Sequence, residues 1–207
     1  MEFTDTITTV DQLRELLAPP SEFVTEKESD TLDDHSRDFI GRSPFVLIAS
    51  TDAEGRVDIS PKGDPPGFVR VLDDTTIAIP DRPGNHRADT FENVLRHPFV
   101  SVIFLVPGTK FTLRIRGRAS IVRDAWLRES MTVGGRTPEF ALAIDLTTAF
   151  FHCGKCIIRS ELWSSADGLG GRDERLLAEA MASQLADIVT TDEMHEIILD
   201  DEAKRLY

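Results

Sequence analysis

The sequence predicts an α+β, mainly β fold, an antiparallel barrel of six or so strands with flanking N- and C-terminal helices. Three observations lead there. Short apolar runs, several alternating apolar with polar residues, recur at close spacing between Phe45 and Ile144. Runs of Leu and other apolar residues at helical spacing sit mainly at the two ends of the chain. No Gly-x-Gly-x-x-Gly follows a strand, which removes the dinucleotide-binding βαβ alternative.

Thr9-Val10-Asp11-Gln12 reads as a capping box before Leu13, Leu16 and Leu17, and Pro19-Pro20 stops that helix. A second helix is expected from Asp33 or Asp34 to Ile40, closed by Gly41. Phe45 to Thr51 and Val57 to Ser60 form a hairpin about the turn Asp52-Ala53-Glu54-Gly55. Ser60 to Gly67 is too rich in Pro and Gly for regular structure. Phe68 to Leu72 and Thr76 to Pro80 pair around Asp73-Asp74, and Asn85 caps a helix that reaches Arg96. Val100 to Val106 is apolar enough to be buried on both faces. Phe111 to Val122 follows, with Leu113, Ile115, Gly117, Ala119 and Ile121 facing the core and Arg114, Arg116, Arg118 and Ser120 facing away. Asp124 starts a short helix that Gly134-Gly135 breaks, Phe140 to Ile144 is the last strand, and a helix is expected from Thr147. Gly168-Leu169-Gly170-Gly171 is a linker, after which Leu177, Met181, Gln184, Leu185 and Ile188 mark an amphipathic helix, with a short one near Met194 to Ile198.

With 41% hydrophobic and 29% charged residues, the 207-residue chain can fill a core. No apolar run reaches the roughly 18 to 20 residues that span a bilayer, and Met1 to Val10 resembles no secretory signal, so a cytoplasmic location is expected. The net charge of −13 argues against nucleic acid and anionic membranes as partners. That acidity lies at the two ends, while Lys62 to Arg123 is locally basic. A basic middle in an acidic chain points to an anionic small molecule, or equally to Arg side chains spread over a solvated sheet face.

Two segments carry candidate chemistry. In Pro80-Asp81-Arg82-Pro83-Gly84-Asn85-His86-Arg87 a strand delivers the chain to a Pro/Gly loop that opens a helix, an arrangement suited to a phosphate through free amides, helix dipole and guanidinium. Ser60-Pro61-Lys62-Gly63, at a strand end, adds a hydroxyl and a cation. Either also reads as an ordinary turn or helix start. Cys153-Gly154-Lys155-Cys156 is expected to be two small buried thiols on a helix face. A redox pair would want its first Cys at a helix N-terminus, and zinc would need a second ligand pair, so no metal is expected.

From His35 to Trp163 the chain resembles the pyridoxamine-5′-phosphate-oxidase-related FMN proteins. The resemblance rests on Ser60 to Val69, Pro80 to Arg87, Val100 to Gly108, Thr112 to Gly117 and Phe151-His152-Cys153-Gly154-Lys155 with Arg159-Ser160 and Leu162-Trp163. It implies a six-stranded antiparallel split β-barrel (residues 43–166) between a helical extension at 1–42 and another at 167–207. It also implies a homodimer with FMN in the grooves between subunits. Ser60 and Lys62 would approach the cofactor from a strand end, and Asp81, Arg82, Asn85 and Arg87 would surround its ribityl-phosphate. Thr112 and Arg114 would come from the partner subunit, and Lys155, Arg159 and Trp163 would lie near the ring. Two departures stand out: His86 takes the place of a family Arg, and the C-terminal Arg-Leu-His that grips pyridoxal phosphate is replaced by Lys204-Arg205-Leu206-Tyr207. The expected function is therefore an FMN-dependent oxidoreductase acting on a small molecule other than pyridoxine phosphate. The alternative is a non-catalytic flavin carrier, and a barrel for deazaflavin or haem comes third. No residue stands out as an acid–base catalyst.

Overall fold

The computed structural model describes residues 2–21, 25–163, 175–184 and 188–204. The linker expected at Gly168 to Gly171, the position of Leu185 and the chain end after Lys204 lie outside those residues.

The first helix, α1 (Val10–Leu16), is capped by Thr9, whose hydroxyl accepts from the Gln12 amide at 3.2 Å. Gln12 Oε1 in turn accepts from the Thr8 amide, one residue earlier than in the standard box. None of its residues is buried, so its Leu face has no covering partner among the described residues. Helix α2 (Asp34–Arg42) begins at Asp33, whose carboxylate accepts from the Ser36 amide at 2.8 Å. It runs past Gly41, the expected stop, to Ser43, which is extended (φ −78, ψ 119) because Pro44 excludes the helical conformation from the residue before it. Its Phe39 and Ile40 enter the main core.

The sheet has seven strands rather than the expected six: β1 (Phe45–Thr51), β2 (Val57–Gly63), β3 (Arg70–Val71), β4 (Thr76–Pro80), β5 (Phe99–Leu105), β6 (Thr112–Val122) and β7 (Ala141–His152). All pairs are antiparallel, in the order β2-β1-β5-β6-β7-β4-β3, which leaves β2 and β3 as edges among the described residues. β2 continues through Pro61 to Gly63, into the segment read as irregular, because an edge strand tolerates a residue with no amide to donate. Val46, Ile48, Val102, Phe104, Leu113, Ile115 and Ile144 all turn to one core face. A smaller cluster packs Ala78 and Ala141 against Leu127 and Met131, and Leu127 lies on the short helix α4, described below.

Two expectations about the strands fail for physical reasons. β5 is not buried on both faces: Val100, Val102 and Phe104 are buried, while Phe99 is 63% exposed and Ile103 and Leu105 are half-covered. β7 runs to His152, where a helix was expected from Thr147. Arg116 pairs with Thr148 and Gly117 with Leu146, so Thr147 is an extra residue that interrupts the two-residue alternation and hides the strand. Gly117 is required at this bulge, since a Cβ there would lie 2.3 Å from the Asp145 carbonyl oxygen.

Helix α3 (Asp89–Arg96) starts four residues after the expected cap, and α4 (Ala125–Ser130) follows Asp124. Helix α5 (Lys155–Ser160) follows β7, and α6 (Leu176–Gln184) and α7 (Thr191–Lys204) form a helical pair. Among the described residues, the buried positions of that pair are Ala178, Ala182 and Met194, while Leu177 of the expected apolar face is exposed. No helix among the described residues is long and apolar enough to cross a membrane.

Candidate functional site

At the β2 edge of the sheet the chain encloses a cleft of about 850 Å³. Its walls are β2, the loop from Asp81 to Ala88, the first turn of α3 and the segment Arg136 to Phe140. Six of the residues singled out in the sequence meet there: Ser60, Lys62, Asp81, Arg82, Asn85 and Arg87. The volume falls inside the roughly 300 to 1,000 Å³ of ordinary ligand sites.

Each wall has a local cause. Ser60 and Lys62 pair with Ile48 and Val46, so they point to the core side of the sheet, toward α3. Lys62 Nζ lies 5.5 Å from the centroid of the Phe91 ring, which packs edge-on against Phe140 at 4.7 Å. The loop does not open directly into a helix. Asn85 Oδ1 accepts from the Arg87 amide at 3.1 Å, an Asx turn, and His86 and Ala88 both take the left-handed conformation. Two left-handed residues cannot belong to a helix, so α3 waits until Asp89, and His86 and Arg87 sit on the loop rather than in a first helical turn.

The charged groups are not equivalent. Arg82 donates from Nε to Asp64 at 2.6 Å and from Nη2 to the Met131 carbonyl at 2.8 Å. Its side chain is 16% exposed and that of Asp64 only 1%. It is therefore a tie between the β2 loop and the end of β4, with two of its three nitrogens already engaged. Arg87 is exposed, and its Nε donates to Asp89 at 2.7 Å. The Asp81 amide donates to the Phe140 carbonyl at 3.1 Å, and burial pushes its carboxyl above the usual carboxylate range against the opposing pull of Lys62, Arg82 and His86.

The remaining sequence candidates lie elsewhere. Thr112 and Arg114 are on β6, in register with Leu105 and Ile103, and face away from the core. Within one chain they are on the opposite sheet face from Ser60 and Lys62. Lys155 and Arg159 lie on α5 and are not part of the cleft wall. Trp163 donates from Nε1 to the Thr109 carbonyl at 2.7 Å. The sequence reading missed Arg136. Gly134 and Gly135, taken only as a helix break, are both left-handed and turn the chain so that Arg136 reaches the cleft wall.

The cysteines also differ from expectation. Both are exposed and unpaired, and Cys153 precedes Gly154, the N-cap of the six-residue α5, because β7 and not a helix leads up to it. Gly154 is fixed by packing, since a Cβ would lie 2.0 Å from the Lys110 carbonyl oxygen. Among the described residues no group of three His, Cys, Asp or Glu side chains could hold a metal ion.

No curated protein sequence matches the chain. Among solved structures, HupZ of Group A Streptococcus is 20% identical over 66% of this chain and 98% of its own, with a TM-score of 0.47. A putative pyridoxamine 5′-phosphate oxidase from Lactobacillus delbrueckii is 18% identical over 59% and 95%, with a TM-score of 0.46. An FMN-binding protein from Syntrophomonas wolfei is 10% identical over 69% and 95%, with a TM-score of 0.43. Likenesses at this level support no functional argument. The sequence profile of the pyridoxamine 5′-phosphate oxidase family, in contrast, matches residues 32–153 continuously, from the residue before the α2 cap to the end of β7 and through every strand of the sheet. The chain belongs to that family.

Proposed function

We propose that the protein is an FMN-dependent oxidoreductase that works as a homodimer. The observation that carries this reading is the cleft at the β2 edge, which gathers Ser60, Lys62, Asp81, Asn85 and Arg87 around a volume suited to one flavin nucleotide. The residues fit the group. Arg87, with Asn85 shaping its loop, would contact the phosphate. Asp81, its ionised form disfavoured by burial, would hydrogen-bond ribityl hydroxyls. Ser60 and Lys62 approach from the strand end, where a cation beside the ring favours its reduced, anionic form. Arg82 supports the site through Asp64 rather than by touching the phosphate. Thr112 and Arg114 face away from the cleft and would join it from a second copy, whose apolar sheet face would cover this one. FMN bound there would supply reversible hydride chemistry, while the protein binds, orients and excludes water.

The test is the absorption spectrum of the purified protein with an FMN titration, then anaerobic reduction by NADH and NADPH and a screen of acceptors. One FMN per subunit and turnover with a donor–acceptor pair are expected. Absence of flavin binding and of any thermal stabilisation by FMN overturns the cofactor. Tightly held flavin inert to every donor points instead to a carrier. Pyridoxine and pyridoxamine phosphates are not the proposed substrates, because recognising a phosphorylated pyridine needs groups placed on it, and this reading assigns Lys62 and Arg87 of the cleft to the flavin. Oxygen uptake with either compound at about 1 per second or faster would reverse that.

A further inference from the structure

Away from the cleft, on the outer face of the sheet, three cations converge on one aromatic ring. Lys27 Nζ is 5.5 Å from the Phe150 centroid, and the guanidinium carbons of Arg114 and Arg116 are 5.6 and 5.7 Å from it. Phe150 itself is buried. The cluster is held in place. Lys27 Nζ donates to the Phe151 carbonyl at 2.9 Å, and its segment is bridged to β7 through Ser29 and Ala149. Arg114 stands opposite Phe150 in the β6–β7 register, and Arg116 stands opposite Thr148.

What is missing is a counter-charge. Arg37, Arg56, Arg82 and Arg87 each hold a carboxylate. Among the described residues, none of Lys27, Arg114 and Arg116 does. Their cross-strand neighbours on β5 and β7 are Ile103, Ser101, Phe150 and Thr148. Glu26 and Glu28 flank Lys27 in sequence without forming an ion pair with the cluster. Arg118, two positions along β6, differs: it faces Asp145 across the ladder and lies 6.0 Å from another ring, Phe99. Cation–π contacts contribute only about 0.5 to 1 kcal/mol each at exposed sites, whereas like charges gathered on one ring repel. In a chain of net charge −13, three cations gathered on one ring without a carboxylate among the described residues stand out.

We propose that Lys27, Arg114 and Arg116 bind a phosphate group, carried by a small molecule, on the outer face of the sheet. A phosphate offers oxygens enough to accept from two guanidinium forks and an ammonium together, which one carboxylate does not. The site stands on this cluster alone and does not need flavin in the cleft. Its groups come from the N-terminal segment and β6, so it implies no recognition of a pyridine ring.

The test is calorimetric titration of inorganic phosphate, in chloride buffer, into the wild-type protein and variants. Lys27→Met with Arg116→Met keeps the apolar stems on Phe150 and removes the charges. This pair is expected to weaken phosphate about tenfold or more while leaving FMN binding intact. Lys27→Arg with Arg116→Lys is expected to retain phosphate, and Arg118→Met to stay within about twofold of wild type. Lys62→Met with Arg87→Ala is expected to lose FMN and keep this phosphate. Three results overturn the proposal: no phosphate binding by the wild type, equal affinity in the Lys27→Met/Arg116→Met variant, or loss that follows only the Lys62→Met/Arg87→Ala variant. Phosphate that binds only as light scattering shows a dimer falling apart also overturns it, because carboxylates of a second copy then fill the cluster.

Discussion

The two faces of the sheet are finished to different degrees. On the core side, at the β2 edge, the charged groups are largely answered within the chain: Arg82 by Asp64 and Met131, Arg87 by Asp89, and Lys62 by the Phe91 ring. On the outer side, Leu47, Ile103 and Leu105 are half-covered, Phe99 is exposed, and Arg114 and Arg116 have no carboxylate among the described residues. A protein seldom leaves contiguous apolar and unpaired cationic surface to water without a use for it. The contrast separates what one chain builds alone, a cleft, from what it leaves for a partner and a ligand.

The largest expected effect is on the finished side. Asp64→Ala strands the Arg82 guanidinium in a nearly closed environment, which costs roughly 3 to 5 kcal/mol when a buried partner is removed. Chemical denaturation should show that loss together with loss of FMN, because the β2 loop is no longer tied to the end of β4. Stability within 1 kcal/mol of wild type, on the order of a surface change, would mean that water replaces the carboxylate and that the cleft is not rigidly built.

On the unfinished side, Ile103→Lys places a charge in the middle of the apolar rows, between Leu47 and Arg114. If that face is the homodimer interface, the substitution should weaken association by about 2 kcal/mol or more, and light scattering should show monomer. FMN affinity should fall with it, since Thr112 and Arg114 would no longer reach the cleft. An FMN-loaded monomer would break the link between the two faces.

Much of this was legible in sequence, and the failures have local causes. All seven strands were located at least in part, because apolar alternation survives wherever one face is buried. The bulge at Thr147 shifts the phase of β7 and hides its second half, and nothing in Asn85-His86-Arg87-Ala88 announces two left-handed non-glycine residues ahead of α3. The candidate site was legible as two loops, but not their meeting, which depends on β2 lying at the sheet edge beside α3. Arg136 carried no signal beyond the Gly pair before it. The Cys pair was misplaced for the same reason as β7: once the strand is taken for a helix, exposed thiols look buried.

A smaller effect separates a ligand cation from a solvated one. Arg87→Ala should weaken FMN by about 1.5 to 3 kcal/mol, as expected for a lost charge-assisted contact. Arg123→Ala, at a side chain 72% exposed and 3.8 Å from Glu139, should change it by less than about 0.5 kcal/mol. Equal affinities from fluorescence titration would remove Arg87 from the site.

The smallest effect concerns the joint between the N-terminal segment and the sheet. Asp33 caps α2, and its hydrogen bonds with Ser36 hold its carboxyl below the usual range. A carboxyl whose folded value is depressed contributes stability that is fully present above its unfolded value and is lost as pH falls through the folded one. Asp33→Ala should therefore cost about 1 kcal/mol at neutral pH and progressively less in acid, below about pH 4. Asn at the same position accepts the same amide but does not titrate, so Asp33→Asn should be close to wild type at neutral pH and should lack the acid-side loss. Urea midpoints at neutral pH and near pH 3 for the three proteins separate the hydrogen bond from the charge. If Asp33→Asn loses as much as Asp33→Ala at neutral pH, the interaction at this helix start is with the dipole rather than the Ser36 amide. The joint would then weaken with added salt, as a dipole interaction does.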